Sequence, residues 1–214
     1  MSKGRLEAFS DGVIAIAITL LVLDIHVPSP GSHGGLAHAL GEEWPSYASY
    51  ATSFLTIGII WVNHHAAFGR LRRVNHTVLF LNLVLLLFIG LLPFTTALMA
   101  DYLRQSSGEG LAAAVYAGSL LAMSLAFLAL QRYTLRSRPD LLRDGITPAE
   151  RASIYRRSRA GVLPYVLAAA LAAVSPYITL AICAAIALYY ALPSSVRAAG
   201  DGQEGEEMAG RSYA

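Results

Sequence analysis

Long apolar runs alternate with short polar segments along the chain. The runs lie at about residues 12–25, 46–62, 77–100, 110–131 and 160–193. A helix needs roughly 20 residues to cross the hydrocarbon core of a bilayer, so each of the first four runs predicts one span once its polar ends are included. The fifth run predicts two spans, because Ser175-Pro176 interrupts it and proline removes a backbone donor.

We therefore expect an all-α integral membrane protein with six transmembrane helices in one domain, residues 1–193. Residues 194–214 are glycine-rich and acidic, which predicts a disordered cytoplasmic tail. The sequence Thr-Pro-Ala-Glu at 147–150 is typical of a helix N-terminus, so the fifth helix is expected to begin before its apolar part. The predicted spans are about 5–25, 46–66, 76–100, 110–131, 156–174 and 177–193.

Composition and charge agree with this class. The 214 residues are 55% hydrophobic and only 14% charged, and the mean hydropathy is +0.50, which is unusual for a soluble domain. With a cytoplasmic amino terminus, fifteen of the sixteen basic residues fall in cytoplasmic segments and only Arg104 lies outside. Because basic residues accumulate in cytoplasmic loops, both termini are expected there. The net charge of +2 then reflects topology, and no nucleic-acid partner is expected.

The first helix has two different faces. At about 100 degrees per residue, an aliphatic stripe with one hydroxyl lies within about 60 degrees of a single direction. Ser10 and Asp11 point about 120 to 140 degrees away from it, toward other helices of the same subunit. The stripe consists of Ile16, Thr19, Leu20 and Leu23, and it continues toward the amino terminus through Gly12, Phe9 and Arg5.

Polar groups inside a membrane are costly unless they are paired, so each is a candidate for function. For Ser10 and Asp11 an alternative is a helix cap at the membrane surface. For Thr19 the alternative is a hydroxyl bonded back to a carbonyl of the preceding turn, which is common in membrane helices.

Two further helices carry polar residues near the same predicted depth. Trp61 and His64 lie on the second helix and Asn82 on the third, where interhelical hydrogen bonds would hold the bundle together. His64 and His65 point about 100 degrees apart on a helix and are poorly placed to share one metal ion. With a single cysteine, Cys183, no cysteine metal site is available, and no cofactor or resident metal is expected.

The order of these residues resembles a known pattern. Arg5 and Phe9-Ser10-Asp11 form the sequence R-x-x-x-F-S-D at the start of helix one, and Trp61 and His64 form W-x-x-H on helix two. Phe68, Leu81-Asn82-Leu83, Pro93, Thr96, Leu98 and Met99 follow in the same order as in that pattern. Over the first hundred residues the chain resembles the transmembrane protein 175 family, which comprises potassium channels of animal endosomes and lysosomes and their bacterial relatives.

The resemblance implies a central pore lined by helix one. Single-repeat bacterial members form tetramers, so a homotetramer in the plasma membrane is implied for this chain, with potassium as the permeant ion. Narrow rings of isoleucine or leucine replace the carbonyl filter of other potassium channels, and a nearby threonine is implicated in selectivity. Carried over by spacing, the pore positions are Ile16, Thr19, Leu20 and Leu23. The family's polar network behind the pore helix maps onto Ser10, Asp11, Trp61, His64 and Asn82, and Arg5 and Phe9 of the motif are predicted to belong to it.

The function expected from these residues is passive, potassium-permeable cation conduction through a hydrophobic constriction. Asp24, Glu42, Glu43 and Asp101 lie toward the predicted outer side and either concentrate cations there or form an ordinary solvated surface. The alternative is a proton leak or a proton-coupled secondary transporter that uses Asp11 and His64. An enzyme is disfavoured because no serine, cysteine or metal constellation with catalytic spacing is present, and His26, His33 and His38 lie in a glycine-rich outer loop.

Overall fold

The computed structural model describes residues 2–29, 34–105 and 107–191. Within these ranges the chain is helical, and extended pairing is limited to one isolated antiparallel bridge between Leu71 and Leu142. The predicted tail and His33 lie outside the described residues. The α-helices of the described ranges are α1 (Lys3–Leu20), α2 (Gly35–Glu42), α3 (Trp44–Gly69), α4 (His76–Tyr102), α5 (Glu109–Arg132), α6 (Pro148–Ala160), α7 (Leu163–Leu171) and α8 (Pro176–Ala191).

Three helical segments of the described chain are long and apolar enough to cross a membrane. They are Lys3–Asp24, His76–Tyr102 and Glu109–Ser137, and they coincide with the first, third and fourth predicted spans. The first joins α1 to a 3₁₀ turn at Leu21–Asp24, and the last joins α5 to a π turn at Tyr133–Ser137. The prediction of an all-helical chain with helices able to span a membrane is therefore confirmed for the described residues.

The other three spans stay predictions. The helix α3 has 26 residues, enough to cross a bilayer, but its many hydroxyl, amide and imidazole side chains lower its hydropathy. The helix α8 is apolar and has 16 residues, and the predicted end of its span at 192–193 lies outside the described residues.

The fifth predicted span, 156–174, is interrupted in the structure. The hydroxyl of Thr147 accepts the backbone N–H of Glu150 at 3.2 Å, so α6 begins as the capping pattern indicates. This helix ends at Ala160, and α7 begins at Leu163. Pro164 accounts for the break, because it lacks an N–H and its ring clashes with the carbonyl oxygen four residues earlier in a continuous helix.

Packing places one face of α1 against the rest of the subunit. The helix α1 lies against α3 and α4, α4 packs along α5, and α8 contacts both α3 and α7. Buried positions recur every three or four residues on α4, which gives one continuous inward stripe. The stripe includes Val78, Asn82, Leu85, Ile89, Leu92, Thr96 and Met99.

Two arginine-rich loops are joined by hydrogen bonds at one end of the bundle. The backbone N–H of Arg72 donates to the Leu141 carbonyl at 2.8 Å, and the N–H of Arg143 donates to the Arg70 carbonyl at 2.9 Å. The Asp140 carboxylate accepts from Arg138 Nε and from Arg73 Nη2, each at 2.9 Å. Hydrogen bonds from Arg138, and then from Arg73, hold the pKa of Asp140 well below its ordinary value. We call this contact of residues 70–73 with 138–143 the loop clamp.

Candidate functional site

A chain of hydrogen bonds joins α3, α4 and α1 behind the aliphatic stripe of α1. His64 Nε2 lies 2.8 Å from Asn82 Oδ1, and Asn82 Nδ2 lies 2.9 Å from Ser10 Oγ. Ser10 Oγ in turn lies 2.9 Å from the carbonyl oxygen of Leu6. Ser10, His64 and Asn82 are all buried. Their side chains satisfy one another in a region that water does not reach.

The donor in each hydrogen bond of this series can be assigned from the last acceptor, the Leu6 carbonyl oxygen. The Leu6 carbonyl can only accept, so the Ser10 hydroxyl donates to it and receives the N–H of Asn82. The amide oxygen of Asn82 then accepts, and His64 must carry a hydrogen on Nε2. A His64 ring with a hydrogen on Nε2 therefore completes this series of hydrogen bonds. The His64 ring also stacks on Phe68, with 4.3 Å between ring centroids.

Asp11 belongs to a second, separate contact. Trp61 Nε1 donates to Asp11 Oδ1 at 3.0 Å on an exposed part of the surface. The described residues contain no hydrogen bond between Asp11 and His64, so the pair does not form a continuous relay. The structure thus gathers the predicted polar residues at one level but divides them into a buried group and an exposed group.

Arg5 and Phe9 stand apart from both groups. Arg5 is exposed and has no hydrogen bond or ion pair within the described residues, whereas its neighbour Lys3 pairs with Glu7 at 3.4 Å. Phe9 is half exposed. In the single chain, both residues lie on the outward side of α1.

The aliphatic stripe of α1 faces outward from the subunit. Ile16 is 61% exposed and Leu23 is 73% exposed, whereas Ala17 on the opposite face is 2% exposed. Thr19 and Leu20 are exposed on the same outward side. The Thr19 hydroxyl lies 2.9 Å from the carbonyl oxygens of both Ala15 and Ile16. Its hydrogen is therefore used within the helix, and its oxygen lone pairs remain on the outward side.

The predicted outer acidic residues differ in their surroundings. Glu42 pairs with Arg104 at 3.8 Å and with His38 at 3.7 Å, and Glu43 accepts from the Ser46 hydroxyl. Asp24 Oδ2 is buried and has no hydrogen-bond partner within the described chain. Glu42 and Glu43 thus make local contacts. Asp24, at the end of the 3₁₀ turn that follows α1, has no such contact on Oδ2.

A second buried polar group connects α3, α4 and α5 deeper in the bundle. Ser53 Oγ lies 2.7 Å from the Thr96 hydroxyl and 2.9 Å from the Tyr116 hydroxyl. Thr95 and Ser119 are bonded at 3.0 Å nearby. This group of hydroxyls was not predicted from the sequence. The signal was present in the spacing of Ser46, Ser49, Ser53 and Thr56, which lie on one face of a helix.

No group of three His, Cys, Asp or Glu side chains within the described ranges could hold a metal ion. His64 is buried and bonded to Asn82, while His65 lies beside the Trp61 ring, with 6.3 Å between ring centroids. The two histidines therefore have different surroundings, consistent with their divergent directions on the helix.

Comparisons with known proteins place these features in context. Residues 5–93 match the family model described as endosomal/lysosomal potassium channel TMEM175. The chain is 50% identical over 170 residues to a potassium channel of Streptomyces collinus, an alignment that covers 79% of this chain and 82% of that protein. A vertebrate relative, described as the endosomal/lysosomal proton channel TMEM175 of Gallus gallus, is 43% identical over 117 residues, which cover 51% of this chain and 23% of that protein.

A solved structure is similar throughout most of its length. It is the crystal structure of a lysosomal potassium-selective channel TMEM175 homolog from Chamaesiphon minutus, with a TM-score of 0.78 and 39% sequence identity. The similarity covers 88% of this chain and 96% of that chain. It therefore extends beyond the segment that carries the hydrogen-bonded chain and the outward stripe.

Proposed function

This chain belongs to the TMEM175 family of channels, and from that premise we propose that it forms a potassium-permeable cation channel. The bacterial relative from Streptomyces collinus is described as a potassium channel, and the structural relative is described as potassium-selective. A channel requires no group of catalytic residues. The features of this chain that bear on conduction are the exposed apolar face of α1 and the buried hydrogen bonds between α1 and its neighbours.

The observation that carries the proposal is the asymmetry of α1. One face of this helix is packed into the subunit, and the other presents Ile16, Leu20 and Leu23 to the outside. An exposed apolar face needs either lipid or another protein surface to cover it. We propose that four copies of α1 face one another in a homotetramer, so that these side chains form aliphatic rings around the conduction path.

The chemistry of such a path follows from its lining. Aliphatic rings that exclude bulk water form a barrier that opens by wetting or by a small movement of the helices. A ring of Thr19 oxygens beside this barrier would replace part of the hydration shell of a potassium ion. Because hydroxyl ligands are fewer and less fixed than a carbonyl filter, we expect preference for potassium without strict exclusion of sodium.

We further propose that the channel lies in the plasma membrane with both termini in the cytoplasm. The support is the distribution of charge, since the loop clamp and α6 together carry most of the arginines at one end of the bundle. The hydrogen-bonded chain through Ser10, His64 and Asn82 would then hold α1 in position from behind.

Flux through reconstituted liposomes tests the proposed path. Ile16→Asn and Leu23→Asn should each raise potassium flux severalfold, because a polar ring admits water to the constriction. Leu87→Asn is the matched control, since Leu87 is 67% exposed on α4 and lies on no part of α1. The proposal fails if the two α1 variants insert normally and conduct no differently from the parent and the control.

The alternative of a proton leak keeps one specific support, the description of the vertebrate relative as a proton channel. The separation of Asp11 and His64 into different hydrogen-bonded contacts argues against a simple relay between them. Liposomes with opposed proton and potassium gradients discriminate the two functions. Flux that follows the proton gradient in the absence of potassium would favour the alternative.

A further inference from the structure

A cavity of about 380 Å³ lies between α3, α5, α6, α7 and α8, on a part of the subunit that does not include α1. Its volume falls within the roughly 300 to 1,000 Å³ typical of ligand pockets. One end is polar and is lined by Arg70, Gln131 and Arg157, and the other is apolar and is lined by Ile60, Met123 and Phe127.

Gln131 contributes a polar side chain to the cavity wall. Its side chain is only 4% exposed, and it lines the cavity. Within the described residues, its side-chain amide forms no hydrogen bond. An amide offers two N–H donors and an acceptor oxygen, so Gln131 can bind a polar group that enters the cavity.

Two arginines give the polar end its charge. Neither Arg70 nor Arg157 has an acidic oxygen within 4.0 Å in the described part of the chain. Burial lowers the pKa of Arg70, and the more distant Glu150 opposes this change. A half-buried guanidinium without a hydrogen-bonded anion is unfavourable, and an anionic ligand would remove that penalty.

The arrangement of the two ends fits an amphiphile. Along α3 and its C-cap, the ten residue steps from Ile60 to Arg70 span about 15 Å. Arg70 follows α3 and Gln131 is next to the last residue of α5, so both lie at the arginine-rich end of the bundle. Phe127 and Met123 lie about one and two turns deeper along α5. A headgroup would therefore meet the arginines while a hydrocarbon chain extends among the apolar side chains.

We propose that this cavity binds an anionic glycerophospholipid, with its phosphate held by Arg70, Arg157 and the Gln131 amide. Basic pockets between transmembrane helices are suited to such headgroups. The site goes beyond ion conduction and does not depend on it.

Native mass spectrometry of the delipidated full-length protein in detergent tests the site. The probe is phosphatidylglycerol, with phosphatidylcholine as the zwitterionic comparison of zero net charge. The double variant Arg70→Gln/Arg157→Gln should bind phosphatidylglycerol at least about tenfold more weakly, because it loses charge-assisted hydrogen bonds to the phosphate. Arg132→Gln/Arg159→Gln is the matched control, since it removes the same charge from exposed residues outside the cavity lining. This control should bind like the parent.

Two further variants leave the arginines in place. Gln131→Leu should weaken binding of phosphatidylglycerol by removing the amide donor. Ala66→Phe should weaken it by filling the cavity, because Ala66 is part of its lining. If the arginine variant does not fold, these two variants provide the same test.

Three results would overturn the proposal. One is equal weakening in the arginine variant and its charge-matched control, which would indicate general attraction to a basic surface. Another is unchanged binding in Ala66→Phe. The third is binding of glycerol 3-phosphate or inorganic phosphate as tight as that of the lipid, which would assign the site to a free anion. None of these results depends on potassium flux, so failure of the lipid site and failure of the channel proposal are distinguishable.

Discussion

His64 Nε2 donates to Asn82 Oδ1 across 2.8 Å, and this contact fixes the orientation of the Asn82 amide toward Ser10. Three helices thereby share a single run of donors and acceptors. Because each member is buried, the loss of the central amide leaves the N–H of His64 without its acceptor, while Ser10 keeps its bond to the Leu6 carbonyl.

Asn82→Ala should therefore lower the free energy of unfolding by about 1–3 kcal/mol, the cost of leaving a buried donor without a partner. Thermal unfolding of the purified protein in detergent measures the change. Asn63→Ala is the control, because Asn63 is exposed and has no hydrogen bond in the described ranges. A stability equal to that of the parent in Asn82→Ala would mean that water or a rearranged side chain replaces the amide.

Thr19→Val tests the proposed role of the hydroxyl in the conduction path. The Thr19 hydroxyl donates only within its own helix, so valine, which has a similar shape, should preserve the fold. Loss of an ion ligand worth about 1 kcal/mol corresponds to roughly a fivefold fall in the permeability ratio of potassium to sodium. Paired liposome flux assays with either cation measure it, and Thr19→Ser should retain the parent ratio. Equal ratios in the valine and serine variants would exclude the hydroxyl from selectivity.

Tyr116→Phe tests the cluster of hydrogen-bonded hydroxyl side chains that connects α3, α4 and α5. Tyr116 is fully buried and bonded to Ser53, so removal of its hydroxyl should cost about 1 kcal/mol, a typical value for one buried hydrogen bond. Ser53 would keep its bond to Thr96, which limits the loss. Tyr47→Phe, at an exposed position of α3, should leave the unfolding temperature unchanged. Equal unfolding temperatures for Tyr116→Phe and Tyr47→Phe would contradict this expectation.

Asp140→Asn tests the loop clamp and its pH dependence. The pKa of Asp140 is lowered in the folded protein by Arg138 and Arg73, so its contribution to stability is complete above its ordinary pKa of about 3.9. The contribution is lost as the pH falls below that value toward the lowered pKa. The variant should be slightly less stable than the parent from pH 8 to about pH 5, and the difference should shrink below roughly pH 4. Asp144→Asn, at a nearly fully exposed carboxylate that lies 3.8 Å from Arg72 Nη1, should show a smaller difference than Asp140→Asn at every pH.

Much of this architecture could be predicted from the sequence because bilayer thickness constrains helix length. The apolar runs indicated the helices α1, α4 and α5 well, and the period of 3.6 residues separated the outward stripe of α1 from Ser10. The interruption between α6 and α7 could not be predicted, although Pro164 was visible. A proline near an apolar helix start is compatible with either a new helix or a bend, and the packing against α5 and α8 decides between them.

Long-range contacts were the part that the sequence left open. The sequence predicted that Trp61, His64 and Asn82 lie at the same membrane depth as Ser10 and Asp11. It did not predict which of these side chains bond to each other, because that depends on the rotation of each helix about its axis. The loop clamp joins Arg73 and Asp140, which are 67 positions apart in the sequence. The cavity that we propose to bind a lipid is lined by residues of five helices. Such contacts leave no periodic signal along the chain.

The bond between Asn82 and Ser10 also determines which way the outward face of α1 points. Ser10 and Ile16 are six residues apart on the same helix, which places their side chains about 120 degrees apart around its axis. A rotation of α1 that turned Ile16 away from its present direction would carry Ser10 out of reach of Asn82 and expose buried polar atoms. Rotation of α1 is therefore opposed by a hydrogen bond located about 9 Å along the helix from Ile16, so a substitution at Asn82 should change the angular position of residues that it never touches.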